Sequence, residues 1–252
     1  MCDFHFATRR SGLDVRGEPA RLRSVALNMN RRKLFQSAAL GWSLLVPIAA
    51  EADDWPQFRG PNRDGVWNET GIVESFPSGG LKVRWRKPVG AGWSSPVVAR
   101  GRVFLTDALL QKPSVKERVH CFEEATGKPV WTCTYDVTYP EWVFVPSQAS
   151  GPTATPIVEA GKVYAVGANG HVHCLDARNG TVLWEKNLGK EYEVRVLQCR
   201  PSPLIEGNFL IVFTGAKPGA SVIALDKKTG KEVWKALDDP RSEERRVGKE
   251  CA

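Results

Sequence analysis

A hairpin motif that occurs three times constrains this chain more than any other feature of its 252 residues. Each copy places a glycine in a turn and a tryptophan four residues later, and the copies lie 53 and 50 residues apart. A fixed period of this length indicates one supersecondary unit used repeatedly, so the repeat predicts the fold. The copies are residues 121–131, 174–184 and 224–234.

The repeat is predicted to consist of short β-strands. In the second copy, apolar residues alternate over residues 161–167, and Asn169-Gly170 separates this run from another over residues 171–176. Asn-Gly between two alternating runs is a strong hairpin signal. A Ser/Thr-Pro pair opens a further strand before each copy, at Ser95-Pro96, Thr155-Pro156 and Ser202-Pro203.

Four strands in a repeat of this length are typical of a propeller blade. The sequence predicts an all-β fold, a partial β-propeller of about three four-stranded antiparallel blades over residues 81–240, after a lead-in segment over residues 53–80. Residues 83–87 are predicted to form an N-terminal closing strand. An indole can fill the wedge between blades while its N–H reaches a carbonyl. We expect this blade-docking role for Trp85, Trp131, Trp184 and Trp234, with Gly127, Gly180 and Gly230.

The hairpin and the two strands before it resemble the pyrroloquinoline-quinone-like (PQQ-like) β-propeller repeat. That family includes quinoprotein dehydrogenases and non-catalytic members such as the outer-membrane assembly propeller lipoprotein. The resemblance covers residues 54–240, and residues 54–65 are also similar to the start of secreted bacterial proteins of this group. It implies the fold but no bound quinone, because one fold serves many functions.

Residues 29–52 are predicted to be a signal peptide. Arg31-Arg32 lies in a cationic region, residues 37–50 are largely apolar, and an Ala-x-Ala cleavage site follows. The arginine pair resembles a twin-arginine signal, with general secretion as the alternative. We therefore expect a periplasmic or secreted protein without a transmembrane segment. Residues 1–28 are interpreted as an upstream extension from a misassigned start codon.

Residues 241–252 resemble no part of the repeat and are similar to a translated sequencing adapter; a charged, solvated tail is the alternative. The parent protein is expected to continue with further blades, because repeat arrays protect their ends. Residues 53–240 expressed alone should then aggregate or bind hydrophobic dyes, and a stable monomer would contradict this. The total number of blades stays open.

Charge and motif spacing argue against several functions. Residues 53–240 carry 23 basic and 21 acidic residues, so the chain's net charge of +7 does not indicate nucleic-acid binding. The histidines are interpreted as packing on their strands, and the carboxylates that recur in the hairpins as forming turns. We therefore predict neither catalytic nor metal-binding residues. The histidines and carboxylates are His120, His171 and His173, and Glu123, Asp176 and Asp226.

Four cysteines fall within the predicted mature chain, at positions 121, 133, 174 and 199. Cys121 and Cys174 occupy equivalent sites on adjacent blades, and packed sheets about 10 Å apart are too distant for a bridge. Cys121 and Cys133 flank one hairpin and could lie near each other. Buried free thiols are the favoured state.

Two insertions are the candidate functional surfaces: residues 106–118, interpreted as a lengthened loop, and residues 134–151, rich in aromatic residues. The second could bind a ligand or, as we favour, cover a hydrophobic edge. We predict a non-catalytic binding scaffold, without an evident cofactor, for an unknown protein or glycan. The alternative is the N-terminal fragment of a PQQ-dependent alcohol or sugar dehydrogenase. The resemblance would then imply quinone and calcium, although the chain lacks the adjacent cysteine pair that is typical of those enzymes.

Overall fold

The described part of the chain contains three four-stranded antiparallel sheets, so the predicted all-β propeller architecture is confirmed. The computed structural model describes residues 53–70, 73–192, 194, 199–216 and 219–238. The predicted upstream extension, signal peptide and adapter-like tail lie outside these residues.

Each sheet is one blade whose strands follow each other in sequence and in space. The first blade contains β1 (Val97–Ala99), β2 (Arg102–Gln111), β3 (Ser114–Glu123) and β4 (Pro129–Val137). The second contains β5 (Ile157–Glu159), β6 (Lys162–Val166), β7 (His171–Asp176) and β8 (Val182–Asn187). The third contains β9 (Leu204–Glu206), β10 (Phe209–Ala216), β11 (Ala220–Asp226) and β12 (Glu232–Ala236). Between blades lie two 3-10 helices, Glu141–Phe144 and Pro146–Gln148, and the short α1, Leu188–Glu191.

The two ends of the blades are distinct. The segments that join one blade to the next lie at the same end as the β2–β3 turn, and we call this the connection end. The turns that carry the repeated glycines lie at the opposite end, the hairpin end. Gly127, Gly180 and Gly230 have φ values of 68°, 74° and 72°, which glycine adopts without steric cost.

The interpretation of residues 106–118 as a lengthened loop is wrong. These residues continue β2 and β3 into two paired ten-residue strands, joined only by Lys112 and Pro113. The sequence did not indicate a strand here because its apolar alternation is interrupted. Val115, Glu117 and Val119 share one face of β3, and the charged Glu117 lies between the two valines. The hairpin therefore belongs to the rigid sheet.

The core lies between neighbouring blades. Aliphatic residues of the second and third blades pack together, with Leu210, Val212, Ile223 and Leu225 fully buried. Between the first and second blades the core has two parts. One surrounds Phe104 and Leu175, and the other, nearer the connection end, includes Tyr139 and Val143.

Candidate functional site

Trp85, Trp131 and Trp184 each contact the hairpin of the blade that follows them in the chain. The indole N–H groups of Trp85, Trp131 and Trp184 donate to the carbonyls of Glu124, Ala177 and Lys227 at 2.7, 3.1 and 3.1 Å. Each ring also covers the glycine of that hairpin, so that a Cβ added there would lie 2.6–2.7 Å from the ring of Trp85 at Gly127, Trp131 at Gly180 and Trp184 at Gly230. Trp234, on the third blade, is 39% exposed.

The Ser/Thr-Pro pairs make a second repeated contact between blades. The N–H of Ser95 donates to the Thr155 hydroxyl at 3.2 Å, and the N–H of Thr155 donates to the Ser202 hydroxyl at 2.9 Å. One hydroxyl therefore links each blade to the next, beside the first strands of the sheets. The sequence showed the Ser/Thr-Pro repetition but not this connection, because only the stacked blades bring the pairs together.

Glu117 forms a buried polar centre between the first and second blades. Its carboxylate accepts the hydroxyls of Tyr135 and Tyr139, both at 2.6 Å, and the Ala168 N–H at 3.0 Å. The side chain is buried, and burial raises its pKa, although the two tyrosine hydrogen bonds oppose this. Sequence reasoning missed Glu117; the signal was an acidic residue on the apolar face of a strand.

A second acidic centre lies on the opposite face of the first blade. Asp107 accepts two hydrogen bonds from the Arg118 guanidinium, at 2.7 and 2.5 Å, one from the Gly90 N–H at 2.6 Å, and contacts His120 Nε2 at 3.0 Å. Burial acts to raise the pKa of Asp107, but the hydrogen bonds from His120 and Arg118 outweigh it and lower the pKa to about 2. The carboxylate is therefore ionised and fully partnered.

His171 and His173 face the first blade and contact Tyr135 with tilted rings, whose centroids lie 5.4 and 4.3 Å from that of the tyrosine. The Nδ1 atoms of both histidines are buried without a hydrogen-bond partner. Burial, with a smaller effect of His171, lowers the pKa of His173 to about 4. The described residues contain no group of three His, Cys, Asp or Glu side chains placed to hold a metal ion.

The hairpin carboxylates form turns as predicted. Asp176 accepts the Arg178 N–H at 2.8 Å, and Asp226 accepts the Thr229 N–H at 2.8 Å. Glu123 differs slightly, since it accepts the Thr126 hydroxyl at 2.6 Å.

All four cysteines in the described residues are free thiols, at positions 121, 133, 174 and 199. Burial raises the pKa of Cys121 and Cys174 to about 11 and that of Cys199 to about 12. These thiols stay protonated near neutral pH and are poor nucleophiles.

The connection end carries exposed aromatic residues on segments fixed by hydrogen bonds. Trp93 is 74% exposed, while its N–H donates to the Pro152 carbonyl at 2.8 Å. Trp142 is 46% exposed and lies beside the fully buried Val143. In the predicted insertion 134–151, residues 134–137 belong to β4, and Tyr139 and Val143 pack in the core. The insertion therefore combines the packing role with an exposed tryptophan.

Two clefts open near this end. An apolar cleft of about 340 Å³ lies beside Trp93 and is lined by Val89, Leu109 and Leu110. A more polar cleft of about 430 Å³ lies between the first two blades, with Asp136 and Lys190 among its lining residues.

The lead-in segment reaches the inner edges of all three blades; we call residues 54–65 the strap. Trp55 exchanges two backbone hydrogen bonds with Val98 of β1, at 2.8 and 3.0 Å. The Pro56 carbonyl accepts the N–H of Val158 in β5 at 2.8 Å. Arg63 lies 3.5 Å from the Glu206 carboxylate of β9. The strap thus lies where the first strands would otherwise expose unpaired backbone groups.

These features define a class: a β-propeller of repeated four-stranded blades linked by tryptophan–glycine contacts. The sequence profile of the family described as "Outer membrane protein assembly factor BamB" matches residues 115–249. This match spans more than half of the chain, which therefore belongs to this family of PQQ-like propeller repeats.

Similar proteins include an outer membrane protein assembly factor and an alcohol dehydrogenase. The chain is 42% identical over 52 residues, 17% of the chain and 13% of the relative, to outer membrane protein assembly factor BamB of Salmonella typhimurium. It is 25% identical over 247 residues, 86% of the chain and 31% of the relative, to the dehydrogenase subunit of a quinone alcohol dehydrogenase of Gluconobacter oxydans. The chain thus spans less than a third of the length of these relatives.

The chain is also similar to two solved structures. Quinohemoprotein alcohol dehydrogenase from Comamonas testosteroni matches with a TM-score of 0.48 and 18% identity, over 73% of this chain and 28% of that chain. BamB from Moraxella catarrhalis matches with a TM-score of 0.29 and 16% identity, over 66% of this chain and 67% of that chain. Within the described residues, no helix has the length and hydropathy that a membrane span requires.

Proposed function

We propose that this chain is part of a non-catalytic, exported propeller that binds protein partners at the connection end of its blades. The observation that carries the proposal is the exposure of Trp93 and Trp142, 74% and 46%, on segments that the fold holds in place. Exposed aromatic side chains on a rigid base are typical anchors of protein interfaces.

The buried acidic groups favour a scaffold over a catalyst. Glu117 is enclosed by two tyrosines and a backbone N–H, and Asp107 is held by Arg118. Both carboxylates use their oxygens to join structural elements. We assign them to the support of the binding surface, together with the repeated Trp–Gly contacts.

The Trp–Gly contacts are proposed to set the angle between blades. Each contact joins an outer strand to the next hairpin through one hydrogen bond and one closely packed ring. Trp85, Trp131 and Trp184 occupy such contacts, and we propose that the exposed Trp234 serves a further hairpin in the same way.

Binding of the full chain to peptide and glycan arrays tests the scaffold proposal. Replacing both Trp93 and Trp142 with alanine should weaken peptide binding at least tenfold, whereas Trp67→Ala should not change it. Trp67 is a matched control because it is 54% exposed but lies in the lead-in segment. Peptide binding that survives the double substitution would contradict the proposed surface, and binding of glycans alone would contradict the protein partner.

A quinone-dependent dehydrogenase is the second candidate, favoured by the similarity to the Gluconobacter oxydans alcohol dehydrogenase over 86% of the chain. Calcium prefers six to eight oxygen ligands. The described residues contain no cluster of three acidic, histidine or cysteine side chains that could supply the carboxylates of such a site. The strap also covers part of the inner edges. Under this alternative, the ligands would come from outside the described residues.

Incubation of the full chain with pyrroloquinoline quinone and calcium tests this candidate. The scaffold proposal expects no shift in thermal unfolding and no quinone absorbance retained after gel filtration. A saturable shift with retained quinone would favour the dehydrogenase.

A further inference from the structure

The inner edges of the first two blades are occupied by a separate stretch of backbone. Strands β1 and β5 each pair with only one strand of their own sheet, so the sheet itself leaves the hydrogen-bonding groups of their other edges without a strand partner. The strap meets these groups, through Trp55 at Val98 and Pro56 at Val158. An extended segment at an open strand edge is the geometry of β-strand addition.

The strap holds this position through few contacts. It makes three backbone hydrogen bonds to Val98 and Val158, and the Asp54 carboxylate accepts the Arg100 N–H at 2.9 Å. At its far end, Arg63 donates to the Ile205 carbonyl at 3.4 Å and pairs with Glu206, but the side chains of this ion pair are 42% and 69% exposed. Exposed ion pairs contribute little to stability.

The backbone pattern selects the kind of segment that fits. The residue at the position of Trp55 must both donate and accept a hydrogen bond, whereas the next residue only accepts, so proline is tolerated there. Gly60 lies under the Trp55 ring, where a Cβ would be 2.7 Å from the indole. The edge thus recognises backbone groups, while the Trp55 ring packs on Gly60 of the strap itself.

We propose that the inner edges of β1 and β5 form an acceptor groove for an extended peptide, and that the strap is its tethered occupant. The partner is an extended segment of another protein in which a residue that both donates and accepts backbone hydrogen bonds is followed by one that only accepts, such as proline. Tethering gives the strap an effective concentration in the millimolar range, so a free segment binds only when the strap is weakened. This groove is separate from the connection end.

A fluorescent synthetic peptide of residues 53–66 tests the groove. The full chain carrying Trp55→Pro cannot donate to the Val98 carbonyl, which weakens the hold of the strap on the edge. We expect the peptide to bind this variant at least tenfold more tightly than the wild-type chain, and a peptide with the same Trp55→Pro change not to bind. Equal binding of the two peptides, or no binding to the folded variant, would overturn the proposal.

Hydrogen exchange locates the binding. The Val98 and Val158 amides should exchange at least tenfold faster in the Trp55→Pro variant and recover when the wild-type peptide is added; unchanged rates would contradict the groove. If that variant does not fold, Asp54→Ala removes the acceptor of the Arg100 N–H and weakens the strap beside the Val98 pair. Peptide binding should then also exceed that of wild type, and a folded Asp54→Ala chain without increased binding overturns the proposal. The Trp93 and Trp142 double variant should bind the peptide as wild type does.

Discussion

The two interfaces between blades share one set of repeated contacts, which we call the frame. They differ in the side chains that pack between the sheets, which we call the filling. Both have a tryptophan on the following glycine and a hydroxyl link between Ser/Thr-Pro pairs. Between the second and third blades, the space is filled largely by aliphatic side chains such as Leu210 and Ile223. Between the first and second blades, it also holds Glu117 with its two tyrosines.

This difference separates two roles within one repeat. The frame residues recur because every blade must meet the next at the same angle. The filling varies, because aliphatic packing and a fully partnered carboxylate can both exclude water. The polar filling is directional and depends on every donor having its acceptor, whereas the aliphatic filling depends on volume.

Replacing Glu117 with alanine should have the largest effect, lowering the free energy of unfolding by about 4 kcal/mol. The hydroxyls of Tyr135 and Tyr139 and the N–H of Ala168 would lose their acceptor, and each unsatisfied buried donor costs about 1–3 kcal/mol. Urea unfolding of the full chain, followed by tryptophan fluorescence, measures the loss. Glu117→Gln keeps an acceptor oxygen and should lose less than half as much; equal losses would show that these hydrogen bonds are not the cause.

The aliphatic interface should respond with a smaller loss. Leu210→Ala removes a fully buried side chain and should lower the free energy of unfolding by about 3 kcal/mol. Val233→Ala, at a half-exposed position, is the control and should change it little. The loss at Leu210 should be the same at pH 5 and pH 8. A strong pH dependence would mean that this interface contains a titrating group that matters.

Acid should weaken the polar interface through His173. The pKa of His173 in the folded chain is about 4, below the ordinary value of 6.5. Between pH 6.5 and pH 4, the His173 imidazole is therefore mostly protonated in the unfolded chain but mostly neutral in the folded chain. Stability is therefore complete above pH 6.5 and falls as the pH approaches 4, by about 2 kcal/mol between pH 7 and pH 5. His171, Glu185 and Tyr135 are the titratable neighbours.

His173→Phe keeps a ring against Tyr135 and should remove most of this acid loss, measured as the difference between urea unfolding at pH 7 and pH 5. His171→Phe is the comparison, since burial lowers the pKa of His171 as well. An unchanged difference in His173→Phe would assign the acid sensitivity to another group.

The frame could be predicted from the sequence because it repeats. The glycine, tryptophan and Ser/Thr-Pro positions recur at fixed spacing, so each copy supports the others, and the predicted four-stranded blades are confirmed. The roles of Trp85 and Trp234 in closing the ring remain predictions.

The filling could not be predicted in this way. Glu117 has no equivalent in the other blades, and its partners Tyr139 and Ala168 come from other segments, brought together only by the stacking of two sheets. The strap escaped prediction for the same reason, since Trp55 and Val98 pair without any local pattern. Long-range contacts made once leave no periodic signal.

The smallest predicted effect concerns the contact between a tryptophan ring and a glycine, and a matched pair of glycines tests it. Gly180 and Gly161 have φ values of 74° and 75°, so alanine meets the same backbone strain at both, about 1–2 kcal/mol. At Gly180 the added Cβ would lie 2.7 Å from the Trp131 ring, whereas nothing lies within 4 Å at Gly161. Gly180→Ala should therefore cost about 1 kcal/mol more than Gly161→Ala in urea unfolding, because overpacking adds to the strain. Equal costs would mean that the Trp131 ring moves aside freely, and that the contact between ring and glycine does not set the angle between the blades.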